Sequence, residues 1–414
     1  MRIAWFTPLG RQSAIGNFSA TVCRQLACRH DVTLYASDVI DRASSRPVDL
    51  PVVWLKTASV SCVTDQLRAA GAVFYNMGDH LAHHKLVYEW LARHSGIVIL
   101  HDLVLRGFFV GYYHTEGRLD RLAFLDLVKS CHGEPGREWV RKWQEGEIAT
   151  WSDEPGLRAY HMAGAVTRLA RGVAVHSRYA ERRVKGWGRP PVIKVAFPTP
   201  ALPPPAAQAR IELGDTSARL SALSFGCINP NKMVDAVIEA IGTSRYVRSR
   251  LFYTIAGRVL DSTYHERLKA LIDRFELQGV VELLGPVSDD ELHRRLQRAD
   301  LVVNLRNPHL GESSWSLAES LLAGKPTIVW DRGYYGEFPA EVVQKVDSRA
   351  ALSAALEKLC REPERRRLLA FAARGFALAN FRTDRYCEAI VRFAESLRRP
   401  SLGRRLLRTL GLAG

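Results

Sequence analysis

The sequence contains no long apolar run. No segment reaches the ~18 consecutive apolar residues that a membrane-spanning helix needs, so we expect no transmembrane segment. At the start, MRIAWFTP has only a short apolar stretch before Thr7 and Pro8, which is too short for the core of a signal peptide. Together these absences lead us to expect a cytoplasmic protein.

Cysteine is scarce, and the motifs that bind metals or dinucleotides are missing. The 7 cysteines never fall in a CxxC or Cys/His ligand spacing, so we expect reduced, mostly buried thiols and no structural zinc. No Asp-x-Asp pair ends a strand-like run, which argues against a metal-bridged diphosphate. No GxGxxG follows such a run, which argues against the usual dinucleotide fingerprint.

Negative charge is in the minority, because the net charge is +15 at pH 7. A basic surface attracts phosphate groups on nucleotides, nucleic acids or anionic lipids. Positive charge is most concentrated between residues 398 and 408, where arginines alternate with leucines as in a basic amphipathic helix. That segment is either a solvated terminal helix or a contact with an anionic membrane. No nucleic-acid recognition module is evident, so we expect no nucleic-acid partner.

The alternation of short apolar runs with helical stretches predicts the fold class. At 414 residues, the chain exceeds the roughly 250–300 residues at which a single core stops growing. Its first half contains RIAWF, VTLYA, PVVWL, AVFYN, IVILH and GVAVH, and its second half LSALSF, LFYTIA, VVELL, LVVNL and TIVW. We predict an α/β protein of two doubly wound, Rossmann-like domains, with a ligand cleft between the carboxyl ends of their parallel strands.

A proline-rich stretch, FPTPALPPPAAQA, separates the two halves and reads as an interdomain linker. A mainly helical stretch interrupts the first half after His101. The predicted boundaries are 1–198 for the N-terminal domain with its insertion at about 106–170, 199–209 for the linker, 210–384 for the C-terminal domain and 385–414 for helices that cross back to the N-terminal domain.

Two strand-to-helix junctions of the second half carry cations. In SFGCINPNK, Gly226 follows a strand and Lys232 lies on the first turn of the next helix, a place suited to an anion. In LVVNLRNPHLGESS, Arg306 ends a strand, and Ser313 and Ser314 open a helix whose N–H groups suit a phosphate or a sugar hydroxyl. A lysine near a helix start is more often an ordinary surface residue.

Glu312 and Glu319 lie seven residues apart in GESSWSLAESLLAGKP, which reads as a buried helix. Two turns of helix separate them, so we expect both carboxylates to point the same way. From the spacing alone they are either a solvated polar stripe or groups that hold a ligand.

The first half offers candidates at the ends of its strands. VILHDLVL places His101 and Asp102 at the carboxyl end of a strand that reads as buried, where a functional histidine is plausible. His176 in GVAVHS has a similar place, and we favour a structural role for it. TPLGRQSAIGNFS supplies Gly10 and Gly16 between the first strand and helix, where a backbone can approach a ligand closely.

The motifs of the second half, taken in order, resemble those of a known family. FGCINPNK, IAGR, ELLGPVSDDEL, ADLVVNLRNP, GESSWSLAESLLAGKPTIVWDRG and GEFP are similar to the nucleotide-sugar domain of retaining family 4 glycosyltransferases, the glycosyl transferases group 1, which have the GT-B fold. The first half resembles the same family through TPLGRQSAIGNFS, VILHDLVL and GVAVHSRYA.

The resemblance implies a donor substrate and roles for the candidate residues. The donor would be a nucleoside-diphosphate sugar, bound without a metal or other cofactor, and the linkage would keep the donor's anomeric configuration. Lys232 would neutralise the diphosphate, Glu319 would bind the ribose, Glu312 would contact the sugar near its reacting carbon, and His101 would line the acceptor side. The predicted catalytic residues are His101 and Glu312, and the predicted donor-binding residues are Gly16, Lys232, Arg258, Arg306, Ser313, Ser314 and Glu319.

Two departures from the family pattern bear on these roles. Cys227 stands where the family usually has an arginine, and we expect Arg306 or Arg258 to replace that cation. The family commonly spaces its two acids eight residues apart, and Gly311 holds the expected place of the first acid here. Glu312 therefore reaches the sugar from another angle or serves as a helix cap.

The sequence thus predicts a retaining glycosyltransferase of the cytoplasm, acting at the inner membrane surface if the basic segment binds there. Its acceptor would be a cell-surface polysaccharide, a lipid-linked glycan or a similar glycan. The alternatives are a nucleotide-sugar epimerase or phosphorylase of the same fold, a catalytically silent protein, and a basic nucleic-acid-binding protein.

Overall fold

A computed structural model describes residues 1–11, 13–37, 45–115, 118–149, 155–188, 190–198 and 219–398. The predicted linker and the basic segment from residue 399 onward lie outside the described residues. No helix in the described ranges is long and apolar enough to cross a membrane.

The N-terminal half is built on a parallel sheet whose strands are mostly buried. Within the described residues, seven strands pair in the order β3-β2-β1-β4-β5-β8-β9, and β6 and β7 form a separate hairpin. The strands are β1 (Arg2–Thr7), β2 (Asp31–Ala36), β3 (Val52–Trp54), β4 (Ala72–Met77), β5 (Ile97–Leu100), β6 (His114–Thr115), β7 (Arg118–Leu119), β8 (Gly172–Val175) and β9 (Val192–Lys194).

Helices cover both faces of this sheet, which explains why its strands read as continuous apolar runs. The helices are α1 (Ala14–Ala27), α2 (Val60–Ala69), α3 (Leu81–Arg93), α4 (Arg106–Tyr113), α5 (Arg121–Gln144), α6 (Gly156–Ala159), α7 (Gly164–Thr167) and α8 (Arg178–Gly186). The stretch after β5 is mainly helical, and α5 is kinked at Gly133, whose φ is 69°.

The C-terminal half repeats the plan with six parallel strands in the order β12-β11-β10-β13-β14-β15. The strands are β10 (Leu220–Phe225), β11 (Leu251–Ala256), β12 (Val281–Gly285), β13 (Leu301–Asn304), β14 (Thr327–Trp330) and β15 (Gln344–Val346). The helices are α9 (Val234–Thr243), α10 (Arg245–Arg250), α11 (Ser262–Arg274), α12 (Asp289–Arg298), α13 (Trp315–Leu322), α14 (Gly333–Gly336), α15 (Arg349–Arg361), α16 (Pro363–Asn380) and α17 (Thr383–Arg398). The prediction of two doubly wound domains is confirmed.

The two halves contact each other at several places. The last described helix, α17, packs on α1, and the Cys387 thiol lies 3.6 Å from the carbonyl oxygen of Val22. The Glu337 carboxylate accepts hydrogen bonds from the backbone N–H groups of Arg178 and Tyr179, at 3.0 and 2.6 Å, at the start of α8. These contacts hold the carboxyl edges of the two sheets against one another.

Three details differ from the sequence predictions. The helix expected to contain both glutamates begins only at Trp315, because the Ser314 hydroxyl caps it by accepting from the N–H of Leu317 at 3.1 Å, so Glu312 lies in the preceding loop. Lys232 lies in a 3-10 turn before α9 rather than on its first turn, because Met233 has a φ of 52° and breaks the helix there. The thiols are not mostly buried, since only two of the seven, Cys23 and Cys387, are.

Candidate active site

At the carboxyl edge of the C-terminal sheet, β10 and β11 end in glycines that let their loops touch. A Cβ atom on Gly257 would lie 1.9 Å from the carbonyl oxygen of Gly226, closer than any side chain allows. Both glycines have positive φ, 97° at Gly226 and 151° at Gly257. This close approach leaves the space above β10 to the residues of the following turn.

Lys232 fills that space and is buried although it is a lysine. It is 7% exposed, and its ammonium donates a hydrogen bond to the carbonyl oxygen of Phe225 at 3.4 Å. Within the described residues this is the ammonium's one hydrogen bond. Burial, and next the charge of Arg306, lower the pKa of Lys232 well below its usual value. An anion beside this ammonium would restore the charged form.

Arg306 follows β13 and lies close enough to Lys232 to act on its pKa. Its guanidinium donates to the Tyr335 hydroxyl at 3.3 Å and to the side-chain oxygen of Asn231 at 3.2 Å, and it pairs with the Glu312 carboxylate at 3.3 Å. The Arg306 side chain is 16% exposed and that of Glu312 is 13% exposed. Lys232, Arg306 and Glu312 therefore lie together at this edge of the sheet.

Glu312 uses its carboxylate within its own loop. One oxygen accepts from the backbone N–H of Leu310 at 2.7 Å, and the other pairs with Arg306. The adjacent Gly311 has a φ of 90°, and a Cβ atom there would lie 2.5 Å from the Leu103 side chain of the N-terminal half. The loop therefore needs a glycine at 311, both for its backbone conformation and for its contact across the cleft.

Glu319 lies on α13 and is separate from this ion pair. It is 8% exposed, and its carboxylate accepts a hydrogen bond from the Trp315 indole at 2.9 Å. Burial raises the pKa of Glu319 to about 7, against the lowering effect of the Trp315 hydrogen bond. Ser314 is buried as the cap of this helix, and Ser313 is half-buried beside it.

Across the cleft, at the carboxyl edge of the N-terminal sheet, His101 follows β5 and has no charged hydrogen-bond partner among the described residues. Its Nε2 atom lies 3.0 Å from the side-chain oxygen of Asn76. Its ring centroid is 4.7 Å from that of Phe18 and 5.3 Å from that of His176. Burial, and then the charge of His176, lower the pKa of His101 well below its usual value. His101 is therefore a neutral imidazole at pH 7.

Asp102 and Asp79 form a second, half-buried group to which the sequence assigned no role. The Asp102 carboxylate accepts from the N–H of Asp79 at 2.9 Å, and the Asp79 carboxylate accepts from the N–H of Phe108 at 2.6 Å. Burial raises the pKa of Asp102 to about 7 and that of Asp79 to about 6. Glu312 and Arg306 also act on the pKa of Asp102, which places it near them across the cleft. Asp102 directly follows His101, and this adjacency was the one signal in the sequence.

The remaining predicted residues lie at the margins of the site. Gly16 is buried at the start of α1, where a Cβ atom would lie 3.0 Å from the carbonyl oxygen of Pro8. Arg258 is exposed on the loop after β11, and its charge contributes to lowering the pKa of His80 of the N-terminal half, so it also faces the cleft. Cys227 is exposed beside Gly226.

Comparisons with known proteins agree with this architecture. Residues 210–376 match the family model described as "Glycosyl transferases group 1". No curated protein sequence is significantly similar to the chain.

Several solved structures superpose on almost the whole chain. Sucrose-phosphate synthase from Thermosynechococcus elongatus has a TM-score of 0.65 at 15% identity and covers 96% of this chain and 99% of its own. HepE from Anabaena, solved in complex with UDP-glucose, has a TM-score of 0.62 at 16% identity, covering 96% and 100%. WaaG, a glycosyltransferase involved in lipopolysaccharide biosynthesis, has a TM-score of 0.57 at 15% identity with the same coverage.

The chain therefore has the two-domain GT-B fold, as the sequence predicted. The match of residues 210–376 to the glycosyl transferases group 1 model agrees with the resemblance seen in the sequence.

Proposed function

We propose that the protein is a retaining, metal-independent glycosyltransferase that moves a sugar from a nucleoside-diphosphate sugar to a glycan acceptor. The observation that supports it best is the buried Lys232 beside the half-buried Arg306 at the carboxyl edge of the domain that matches the group 1 model. A buried ammonium with one hydrogen bond, to a backbone carbonyl, is costly for the fold, and a ligand that supplies negative charge would offset that cost.

Diphosphate fits these cations chemically. As the bond between sugar and diphosphate breaks, negative charge grows on the diphosphate, and preorganised cations stabilise that charge. Lys232 and Arg306 would supply this stabilising positive charge without a metal. Retention of configuration, the ribose contact of Glu319 and the placing of Glu312 near the reacting carbon stay predictions that rest on the family resemblance.

The comparisons suggest which donor and acceptor to try first. HepE was solved with UDP-glucose, which makes UDP sugars the first donors to test. WaaG is involved in lipopolysaccharide biosynthesis, which supports a cell-surface polysaccharide or lipid-linked acceptor. The proposed contact with an anionic membrane depends on residues 399–414, so vesicle binding should be compared for the full chain and a chain that ends at residue 398.

The first experiment measures the melting temperature with UDP, GDP and ADP, with and without EDTA. A ligand that binds only the folded state raises the melting temperature. We expect one nucleotide to do so equally with EDTA present. No shift with any of the three would count against the nucleotide site.

The second experiment measures release of that nucleotide from its sugar conjugates in the presence of glycan and lipid-linked acceptors. A catalytically silent protein is the competing function, favoured by one observation: Arg306 is already neutralised by Glu312. Stabilisation by the nucleotide without release from any conjugate would support the silent protein. Release that continues in EDTA would support the transferase.

A further inference from the structure

The polar residue that touches His101 lies on the neighbouring strand and is not evident from the sequence. Asn76 is on β4, fully buried, in the run AVFYN that reads as a purely structural strand. Its side chain donates through Nδ2 to the backbone oxygen of Phe6 at 2.8 Å. Its other side-chain atom, Oδ1, faces the Nε2 atom of His101 at 3.0 Å.

The carbonyl of Phe6 fixes the orientation of this amide. A backbone carbonyl only accepts hydrogen bonds, so the NH₂ group of Asn76 must face it. The amide oxygen then points at His101 and requires a donor there. His101 is therefore protonated on Nε2 and, because its ring is neutral, unprotonated on Nδ1.

The surroundings of His101 hold the ring in this state. The aromatic or titratable groups that face it are Phe18 on α1, His84 on α3 and His176 after β8, and none of them is an acid. The nearest carboxyl in sequence, Asp102, accepts from the N–H of Asp79 instead. Within the described residues, Nδ1 makes no hydrogen bond, and it is not among the fully buried polar atoms that lack a partner. Nδ1 is therefore the ring atom left to meet a ligand.

We propose that Asn76 is a positioning residue that locks His101 as the Nε2–H tautomer, so that Nδ1 accepts a hydrogen bond from a hydroxyl group of the transferred sugar. The lock itself follows from the geometry of the protein. The hydroxyl contact rests on the proposed function. His84 is an internal control for the His101 tautomer. Its Nδ1 atom lies 3.0 Å from the backbone oxygen of Asn76, which only accepts, so Nδ1 of His84 must carry a proton.

The lock is tested by nitrogen NMR of the full chain labelled with ¹⁵N-histidine, without any substrate. We expect His101 to have a protonated Nε2 and an unprotonated Nδ1, and His84 to have a protonated Nδ1. In Asn76→Ala, the His101 signals should move toward an average of both tautomers while His84 keeps its own. A wild-type His101 protonated on Nδ1, or a His101 spectrum unchanged in Asn76→Ala, would overturn the lock.

Asn76→Asp gives a second readout that a purely structural role would not produce. The NH₂ group of Asn76 donates to the oxygen of Phe6, so the buried carboxyl that replaces the amide should stay protonated and donate to that oxygen in its place. Its other oxygen would still accept from Nε2 of His101, so we expect Asn76→Asp to keep the wild-type tautomer of His101 in the NMR spectrum, whereas Asn76→Ala loses it. Loss of that tautomer in Asn76→Asp would contradict the lock. Tyr75→Phe is the control, because it changes the residue next to Asn76 and removes only the partly buried hydrogen bond from the Tyr75 hydroxyl to the backbone oxygen of His94, at 2.6 Å.

The sugar contact is tested by comparing affinities for UDP and UDP-glucose, if UDP proves to be the nucleotide. Asn76→Ala should weaken the affinity for UDP-glucose by about twofold, because only about half of His101 would keep the Nε2–H tautomer, and should leave the affinity for UDP unchanged. Equal effects on the affinities for UDP and UDP-glucose would contradict the proposed sugar contact but not the tautomer lock. If the wild type binds neither ligand, the proposed function fails, and the NMR result still stands by itself.

Discussion

The two edges of the cleft hold different kinds of ionisable group. On the N-terminal edge, His101 is neutral, and burial raises the pKa of Asp102 to about 7 and that of Asp79 to about 6, so these groups include two acids and no cation. On the C-terminal edge, Arg306 and Glu312 remain an ion pair, and Lys232 is a further basic group beside them. Both edges are buried to a similar degree, so burial alone does not explain the difference.

The difference comes from the partners that each edge supplies. The N-terminal edge satisfies its groups with amides and backbone N–H groups, which suit neutral hydroxyl groups of a sugar. The C-terminal edge contains two basic groups and one acid near β10 and β13, which suits an anion. A nucleotide sugar has both kinds of group, a diphosphate and a ring of hydroxyls, so the two edges fit its two ends.

Removing Lys232 should have the largest effect. Lys232→Met keeps the volume and removes the cation, so we expect kcat/KM for nucleotide release to fall about 10²–10³-fold. The melting temperature should not fall, because the variant no longer buries an amine whose one hydrogen bond within the described residues is to a backbone carbonyl. Enzyme kinetics and thermal unfolding check the two expectations.

Lys325→Met is the matched control for that variant. Its ammonium is also partly buried, donates to the carbonyl oxygen of Gln297 at 2.6 Å and has a pKa lowered by burial. It does not contact the cleft residues discussed above. Equal losses of activity in the two variants would mean that the loss comes from lower stability. The proposal that the C-terminal edge binds an anion would then fail.

Glu319→Gln should have the next largest effect, on stability as a function of pH. Because burial raises the pKa of Glu319 to about 7 in the folded state, the folded protein binds a proton more tightly than the unfolded chain between pH 4.5 and 7. The free energy of unfolding should therefore fall as pH rises through this window, by at most ~3 kcal/mol. Glu319→Gln, which cannot ionise, should lose that dependence and be the more stable protein at pH 8.

Urea unfolding at several pH values from 4.5 to 8 measures this difference. Glu341→Gln is a control, because Glu341 is exposed and its substitution should leave the pH dependence unchanged. Parallel curves for the wild type and Glu319→Gln would show that the buried carboxyl ionises without cost.

The sequence predicted the sheets and the cations, because each depends on local pattern. Buried parallel strands are continuous apolar runs, and polar residues directly after them must meet at one edge of the sheet. His101 and Arg306 follow from this rule, and Lys232 was found from the glycine turn that comes after β10. Their placement needed no knowledge of which side chains face each other.

The partners of those residues could not be predicted in the same way. Asn76 looks like any strand residue, and its contact with His101 depends on the pairing of β4 with β5, where Asn76 stands opposite Ile99. The position of Glu312 was misread because helical periodicity continues through residues that the Ser314 cap leaves outside the helix. The choice of cap depends on the sharp loop at Gly311, which packs on Leu103 of the other domain. The Asn76–His101 contact and the loop position of Glu312 both depend on residues that are far apart in the chain.

Arg306→Ala tests whether the second cation of the charged edge also binds the ligand. We expect nucleotide affinity to fall about tenfold to thirtyfold, as for a lost hydrogen bond to a charged group. Arg306→Lys should recover part of that loss because it restores the charge without the planar fork. Calorimetric titration measures both variants, and an unchanged affinity in Arg306→Ala would leave Arg306 with only its structural contacts.

Glu312→Gln should have the smallest effect and decides how Glu312 works. The glutamine still accepts from the N–H of Leu310, and it loses only the ion pair that orients Arg306. Because both carboxylate oxygens already contact the protein, we expect about a threefold loss of nucleotide affinity and little change in kcat. The role implied by the family resemblance, contact with the reacting carbon, requires instead a fall of about 10²-fold in kcat with affinity unchanged. Steady-state kinetics together with nucleotide titration separates the two, and the second result would mean that Glu312 leaves Arg306 when the donor binds.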